Sequence, residues 1–293
     1  MINNLEKTLR EKFVTPSDRK GEAISFLKYN TPLSGTGIGT IVLLFVFLGE
    51  DTHPMYVVKT VRSSRDKNVI IHGFERLTKI HEMTKGTDFH NLFPKPLYVS
   101  DSETPWSIET YCEGRRAQYP QDVPQIIDTY TRLSNFLAQS TSKKNSFNFE
   151  YAKSLILELH GDDRELDILI HYAQKLIMDK VYVLPATPQH GDLTIDNVIF
   201  LEKNIHVIDA DTFGVIDIPG YDIFHFYSIR KNPQLLEDAL TKYFKALEID
   251  TAYDRGLLFI YYLHELRIKK DYIVKNLGAK IIIEKFEEMV VSS

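Results

Sequence analysis

HGDLTIDNVIFLEKNIHVIDADTFG, residues His190 to Gly214, sets four polar side chains, His190, Asp192, Asn197 and Asp209, around two short apolar runs. The run from Asn197 to Leu201, the turn Glu202-Lys203-Asn204 and the run from Ile205 to Ile208 read as a β-hairpin. A hairpin brings its ends together, so Asp192 and Asn197 before it and Asp209 after it are expected to converge. Phosphoryl transfer asks a protein for one carboxylate that receives or orients an attacking hydroxyl. It also asks for further oxygens that hold metal against phosphates. Turn chemistry explains one or two such polar residues, but not four at these spacings together with the features upstream.

Those features begin with a helix over residues 2 to 13, on which Leu5, Leu9 and Phe13 share a face. Three strand-like runs follow: Glu22 to Tyr29, Thr40 to Leu48 and Met55 to Val61. Between the first two lies LSGTGIGT, Leu33 to Thr40. Its glycines Gly35, Gly37 and Gly39 allow a backbone to approach a phosphate and aim N–H groups at it. A glycine-rich hairpin turn is the alternative. Lys59 stands in the middle of an apolar strand, where a charge is costly unless it is used. The next segment, Asp66 to Lys85, has helical spacing through Ile71, Phe74, Leu77, Ile80 and His81, and carries Glu75 and Glu82. The competing reading is a lysine facing water from an edge strand, with Glu75 on a solvated helix face. Leu97 to Ser100 and Trp106 to Tyr111 complete a small sheet, with Trp106 read as core and a stack against a cofactor as the alternative.

From Gln121 onward the pattern is helical, over Val123 to Gln139, Tyr151 to Leu159 and Arg164 to Asp179, with Ser140 to Asn148 a polar loop. Ile168, Leu169, Tyr172, Leu176 and Ile177 form a face expected to pack beneath the His190 loop. Further helices are expected near Phe224 to Ile229, Pro233 to Leu247, Thr251 to Lys269 and Tyr272 to Met289. On the third of these, His264, Glu265 and Arg267 read as a solvated face, with reach into a substrate pocket as the alternative.

HGDLTIDN matches, in order and spacing, the H-x-D-x-x-x-x-N catalytic loop of the protein-kinase-like superfamily, and Ile208-Asp209 before DTFG resembles its metal-binding strand end. Within that superfamily the pattern is similar to the aminoglycoside phosphotransferase and choline kinase group. Gly191 stands where many regulated protein kinases carry Arg. The run from Asp209 to Asp222 is too short for a peptide-binding activation segment, and no A-P-E follows. Tyr221-Asp222-Ile223 takes the place of that group's final Asp-hydrophobic pair, while Thr194 and Asp196 depart from its usual His and Gly.

The resemblance implies an α+β, two-lobed protein-kinase-like fold. Residues 1–111 would form a small antiparallel β lobe with one main helix, and residues 112–293 a larger, mainly helical lobe. It implies ATP and Mg2+ as cofactors, with Asp192 as the catalytic carboxylate, His190 bracing the loop, and Asn197 and Asp209 as metal ligands. Lys59 would contact phosphates and pair with Glu75, or failing that Glu82. The backbone around Glu109 and Tyr111 would hold adenine, and Gly114 would allow the turn into the second lobe. Asp211 falls on the other face of an extended chain and so outside the metal's direct ligands. In a competing alignment Asp211, which heads Asp-Thr-Phe-Gly, is the ligand.

With 293 residues and 43% apolar content the chain can bury a substantial core. A net charge of -5 gives no general field for nucleic acid. A single cysteine excludes an internal disulfide framework, and Cys112 reads as a small buried residue. The most apolar run, Thr40 to Leu48, is far shorter than the roughly 20 residues of a membrane helix. The N-terminus lacks the apolar core of a secretory signal, so a soluble, cytoplasmic protein without membrane contact is expected. The reading that follows is an ATP-dependent kinase acting on a hydroxyl of a small-molecule substrate such as a sugar, aminoglycoside or amino alcohol. The alternatives are a nucleotide-binding pseudokinase that regulates a partner and, with less support, a protein kinase. Tyr221, Phe224, Phe226, Tyr227, Tyr261 and Tyr262 are open to two uses, an aromatic cage for an amino alcohol or core packing. Glu265, Asp271 and Glu284 make no acidic cluster of the kind an aminoglycoside would want.

Overall fold

The computed structural model describes residues 2–13, 21–32, 38–63, 66–100, 102–160, 166–202, 204–230, 233–249, 253–268 and 278–290. Gly35 and Gly37 lie outside these residues, as does Asp271, while Gly39 falls within a strand. By internal contacts the chain divides into two units, Met1–Arg115 with Ile199–Asp211, and Arg116–Val198 with Thr212–Ser293. The expected boundary near residue 111 therefore moves to Arg115. The hairpin joins the first unit, which the chain leaves and re-enters around it.

The first unit begins with α1 (Ile2–Lys12), followed by β1 (Ile24–Pro32), β2 (Ile38–Leu48) and β3 (Tyr56–Val61). After α2 (Lys67–Met83) come β4 (Pro96–Val99) and β5 (Trp106–Thr110). The strands form one antiparallel sheet in the order β1-β2-β3-β5-β4. β2 shows why: Val42, Leu44, Val46 and Leu48 alternate inward, and the first three meet Leu5 and Leu9 of α1 together with Val58, Trp106 and Ile108. β3 is central and buried on both faces, so Lys59 sits where a charge needs partners.

The face α2 turns inward runs through Ile70, Gly73, Leu77, Ile80 and His81. That is rotated from the expected stripe, since Ile71 and Phe74 are only half-buried. The hairpin is β9 (Val198–Leu201) and β10 (Asn204–Val207), tied to the rest of the first unit where Val207 N–H donates to the Leu92 carbonyl at 2.7 Å.

The chain crosses at β6 (Arg115–Arg116) into the second unit, made of α3 (Val123–Gln139), β7 (Lys144–Phe147), α4 (Phe149–His160), α5 (Leu166–Ile177) and β8 (Tyr182–Pro185). Past the hairpin it adds α6 (Tyr221–Ser228), α7 (Pro233–Ala246), α8 (Arg255–Ile268) and α9 (Ala279–Val290). Two expectations are corrected here. The segment 140–148 contains a strand, because Lys144 to Phe147 pairs antiparallel with β8. Its polar sequence carries no strand periodicity and gains its order from that partner. The second correction concerns α8, which is buried from Gly256 to Leu266, including His264 and Glu265. A helix buried all round is an axis on which others pack, and α4, α5, α6 and α9 all contact it. His264 is accordingly a core histidine, bonded to the Tyr151 hydroxyl at 2.8 Å. Burial, with Arg267 nearby, drives its pKa down to about 3.

Candidate active site

In the first unit, three carboxylates surround one ammonium. Lys59 Nζ lies 3.1 Å from Asp211, 3.5 Å from Asp209 and 3.6 Å from Glu109. The β3–β5 register sets Lys59 opposite Ser107, and Glu109 follows two residues later on the same face. Burial alone would pull the Lys59 pKa down, but Asp211, Glu109 and Asp209 outweigh it and hold it well above the ordinary lysine value. Glu109 moves the other way for a carboxylate, up to about 7, because burial and the two aspartates oppose its ionisation more than Lys59 favours it. Carboxylates outnumber the ammonium, so the most buried of them accepts a proton first.

Glu75 has no place in this cluster. It is exposed and pairs with His72 at 3.1 Å, because the rotated phase of α2 turns Gly73 and Arg76 toward the cluster instead. A Cβ on Gly73 would come within 2.8 Å of the Asp211 carboxylate, so glycine leaves room for that side chain. Arg76 donates to the Asp211 carbonyl. Asp209 adopts φ 65°, a left-handed backbone that a non-glycine residue holds at a cost, and a 3-10 turn, Ala210–Thr212, follows. These two departures from an extended chain remove the alternation expected between Asp209 and Asp211, so both reach Lys59.

The backbone expected to hold adenine lies at the end of β5. Glu109 lies inside the sheet between β3 and β4, and what it offers is its side chain. The Tyr111 N–H donates to the Met55 carbonyl at 3.2 Å. Cys112 is partly buried, and its thiol pKa is pushed up to about 12, by burial first and then by Glu109.

In the second unit the loop from His190 to Asn197 hangs from a buried carboxylate. The two oxygens of Asp222, in the first turn of α6, accept the N–H groups of His190 and Gly191, each at 2.8 Å. Thr212 Oγ1 donates to the His190 carbonyl at 2.6 Å, which braces the loop from its other side. Gly191 has φ 84°, and a Cβ there would stand 3.0 Å from that same hydroxyl, so this position needs glycine. Burial pushes the Asp222 pKa up, opposed by His190 and by the two N–H bonds.

Beyond the brace, Asp192 keeps a half-exposed carboxylate. Asn197 Nδ2 donates to the Asp192 carbonyl at 2.9 Å and to Oδ2 at 3.3 Å. The Asn197 Oδ1 atom is the part of that amide suited to a cation. His225 Nε2 stands 3.2 Å from Asp192 Oδ1. Asp222 was legible in sequence as a pattern position, though its bonding was not. His225 carried no sequence signal, being one polar residue within an apolar helix, whereas Glu265 was read in sequence only as part of a polar face. The hint of the first cluster was Lys59 itself, a charge in an apolar strand that needs partners, while Glu109 was read in sequence for its backbone alone.

Oxygen donors of this kind suit magnesium, which binds through one or two protein oxygens together with phosphate and water. Among the described residues no group of three or more His, Cys, Asp or Glu could hold a metal alone. The excess of carboxylates around Lys59, with Asp209 half-exposed, fits a cation held jointly with a ligand. The six aromatics considered for a cage are all buried, so core packing accounts for them. No described helix is long and apolar enough to cross a membrane.

No family model matches the sequence, and no curated protein matches it. Solved structures match its fold over nearly the whole chain. A thermostable mutant of aminoglycoside phosphotransferase APH(4)-Ia, in ternary complex with AMP-PNP and hygromycin B, is 15% identical with a TM-score of 0.57, covering 98% of each chain. Choline kinase from Cryptosporidium parvum Iowa II is 14% identical with a TM-score of 0.55, covering 99% of this chain and 94% of its own. Spectinomycin phosphotransferase APH(9)-Ia, in complex with ADP and spectinomycin, is 11% identical with a TM-score of 0.51, covering 98% and 93%. These neighbours are small-molecule kinases, and at such identities the likeness is one of fold. The chain has the α+β protein-kinase-like fold in the form found in aminoglycoside phosphotransferases and choline kinase.

Proposed function

We propose that this chain is an ATP-dependent kinase that transfers the γ-phosphate to a hydroxyl of a small molecule. The observation that carries the reading is the braced His190–Asn197 loop, which presents a half-exposed Asp192 carboxylate between the Asn197 amide and the His225 imidazole. In the proposed step, the acceptor oxygen bonds to the γ-phosphorus as the bond to the β–γ bridging oxygen breaks. That electron pair leaves with ADP, and the hydroxyl proton passes to Asp192. Lys59 would bind phosphate oxygens, and Glu109 and Asp211 would keep it extended and charged. Asn197 and Asp209 would hold Mg2+, which when bound neutralises the charge that develops on the phosphates. Gly35, Gly37 and Gly39 remain the proposed cover for the phosphates. The positions of Asp192, Asn197, Asp209 and Lys59 are all filled, which favours an enzyme over a pseudokinase.

The test is ADP formation from Mg-ATP by the full chain, alone and with a panel of sugars, aminoglycosides and amino alcohols. Asp192→Asn is expected to lower turnover about 10²- to 10⁴-fold. Nucleotide binding with equal turnover by wild type and Asp192→Asn would instead support the pseudokinase.

A further inference from the structure

Each oxygen of the Asp192 carboxylate meets a different donor. Asn197 comes from the same loop, whereas His225 comes from α6, a helix buried along nearly its whole length. The His225 side chain is only 2% exposed, and its other ring nitrogen faces Glu265 Oε2 on α8 at 3.8 Å. Ser228 Oγ donates to that same Glu265 oxygen at 3.1 Å, and the Tyr221 ring stacks on the imidazole. An imidazole and a carboxylate in a helical core cost free energy unless their hydrogen bonds are put to use. Nothing in the loop's own brace requires them, since Asp222 and Thr212 already hold its backbone.

We infer that His225 is a positioning residue that fixes the rotation of the Asp192 carboxylate. This inference rests on the reading of Asp192 as the group that receives the acceptor's proton. With donors at both oxygens the carboxylate cannot turn about its Cβ–Cγ bond. An incoming hydroxyl therefore meets a base that is already oriented. Glu265 acts one step further out, through its charge 3.8 Å from the ring's far nitrogen.

Hydrolysis of Mg-ATP by the full chain, with water as acceptor, provides the test. His225→Leu is expected to lower kcat about 10- to 100-fold while leaving KM for Mg-ATP unchanged. His225→Gln, whose side-chain amide can still donate to Asp192, should recover most of that loss. Glu265→Gln keeps the shape and can still accept from Ser228. It should cost about 3- to 10-fold in kcat, and it carries the test if the leucine variant does not fold. A purely structural role would lower the melting temperature and leave kcat per folded molecule intact, with no advantage of Gln over Leu. Either of those results overturns the inference, and the kinase reading survives so long as Asp192→Asn still loses turnover. A wild type that forms no ADP with water or with any acceptor of the panel, or that Asp192→Asn matches, removes the kinase reading and the positioning role with it.

Discussion

Around Lys59, carboxylates are answered by a cation, whereas around His190 and Asp192 they are answered by backbone N–H groups, an amide and an imidazole. The first arrangement is held by charge, which falls off gradually with distance and tolerates small shifts of a flexible lysine. The second is held by directional hydrogen bonds, each lost within a fraction of an ångström or a few tens of degrees. The lysine cluster is therefore suited to gripping a ligand that brings its own charge. The loop is suited to holding one side chain in one orientation. Substitutions in the first should be felt as affinity and turnover, and in the second as stability and rate.

The largest expected effect divides the two aspartates of the lysine cluster. Asp209→Asn should lower Mg-ATP turnover by about 10³-fold, because it removes the half-exposed carboxylate proposed to hold metal. Asp211→Asn should cost about 10-fold in kcat/KM, since it loosens Lys59 and leaves the metal ligand in place. The reverse order would move the metal to Asp211.

A smaller effect, on stability, separates the two clusters. Asp222→Ala leaves two buried N–H groups without their acceptor and should destabilise the fold by about 3 kcal/mol in urea unfolding. Glu109→Gln, which keeps an acceptor of the same shape near Lys59, should cost under about 1 kcal/mol. Equal losses would mean that the loop is held no more strictly than the lysine.

The smallest effect tests the helix that carries Glu265. Asp254 precedes α8 and accepts from the Gly256 and Leu257 N–H groups at 2.9 and 3.2 Å, from the Tyr182 hydroxyl at 2.6 Å and from Lys180 at 2.7 Å. Burial would raise its pKa, but the Lys180 and Tyr182 bonds prevail and hold it below the ordinary carboxylate value. Its stabilisation is thus fully present above that ordinary value and fades as pH falls through the lowered one. Melting temperatures measured from about pH 5 to pH 2 should show a shallower acid limb in Asp254→Asn than in wild type, with a difference of about 1 kcal/mol where the carboxylate is ionised.

The sequence by itself determined most of the elements, the kind of fold and the loop from His190 to Asn197, because those depend on residues close together in the chain. Loop spacing, strand alternation and helix period are local quantities, and Gly191 was needed where a left-handed turn was needed. Tertiary structure alone decided the partners. Whether Glu75 or Gly73 faces Lys59 depends on the rotation of α2 by a fraction of a turn, which packing against the sheet sets and the amphipathic pattern leaves loose. Glu109 reached Lys59 through strand register, and Asp211 did so through a left-handed residue at Asp209 followed by a tight turn. His225 and Glu265 came together from two helices, one reading as apolar and the other as carrying a solvated face at Glu265. Such contacts join residues far apart in the chain, and their geometry exists only once the core that holds them has formed.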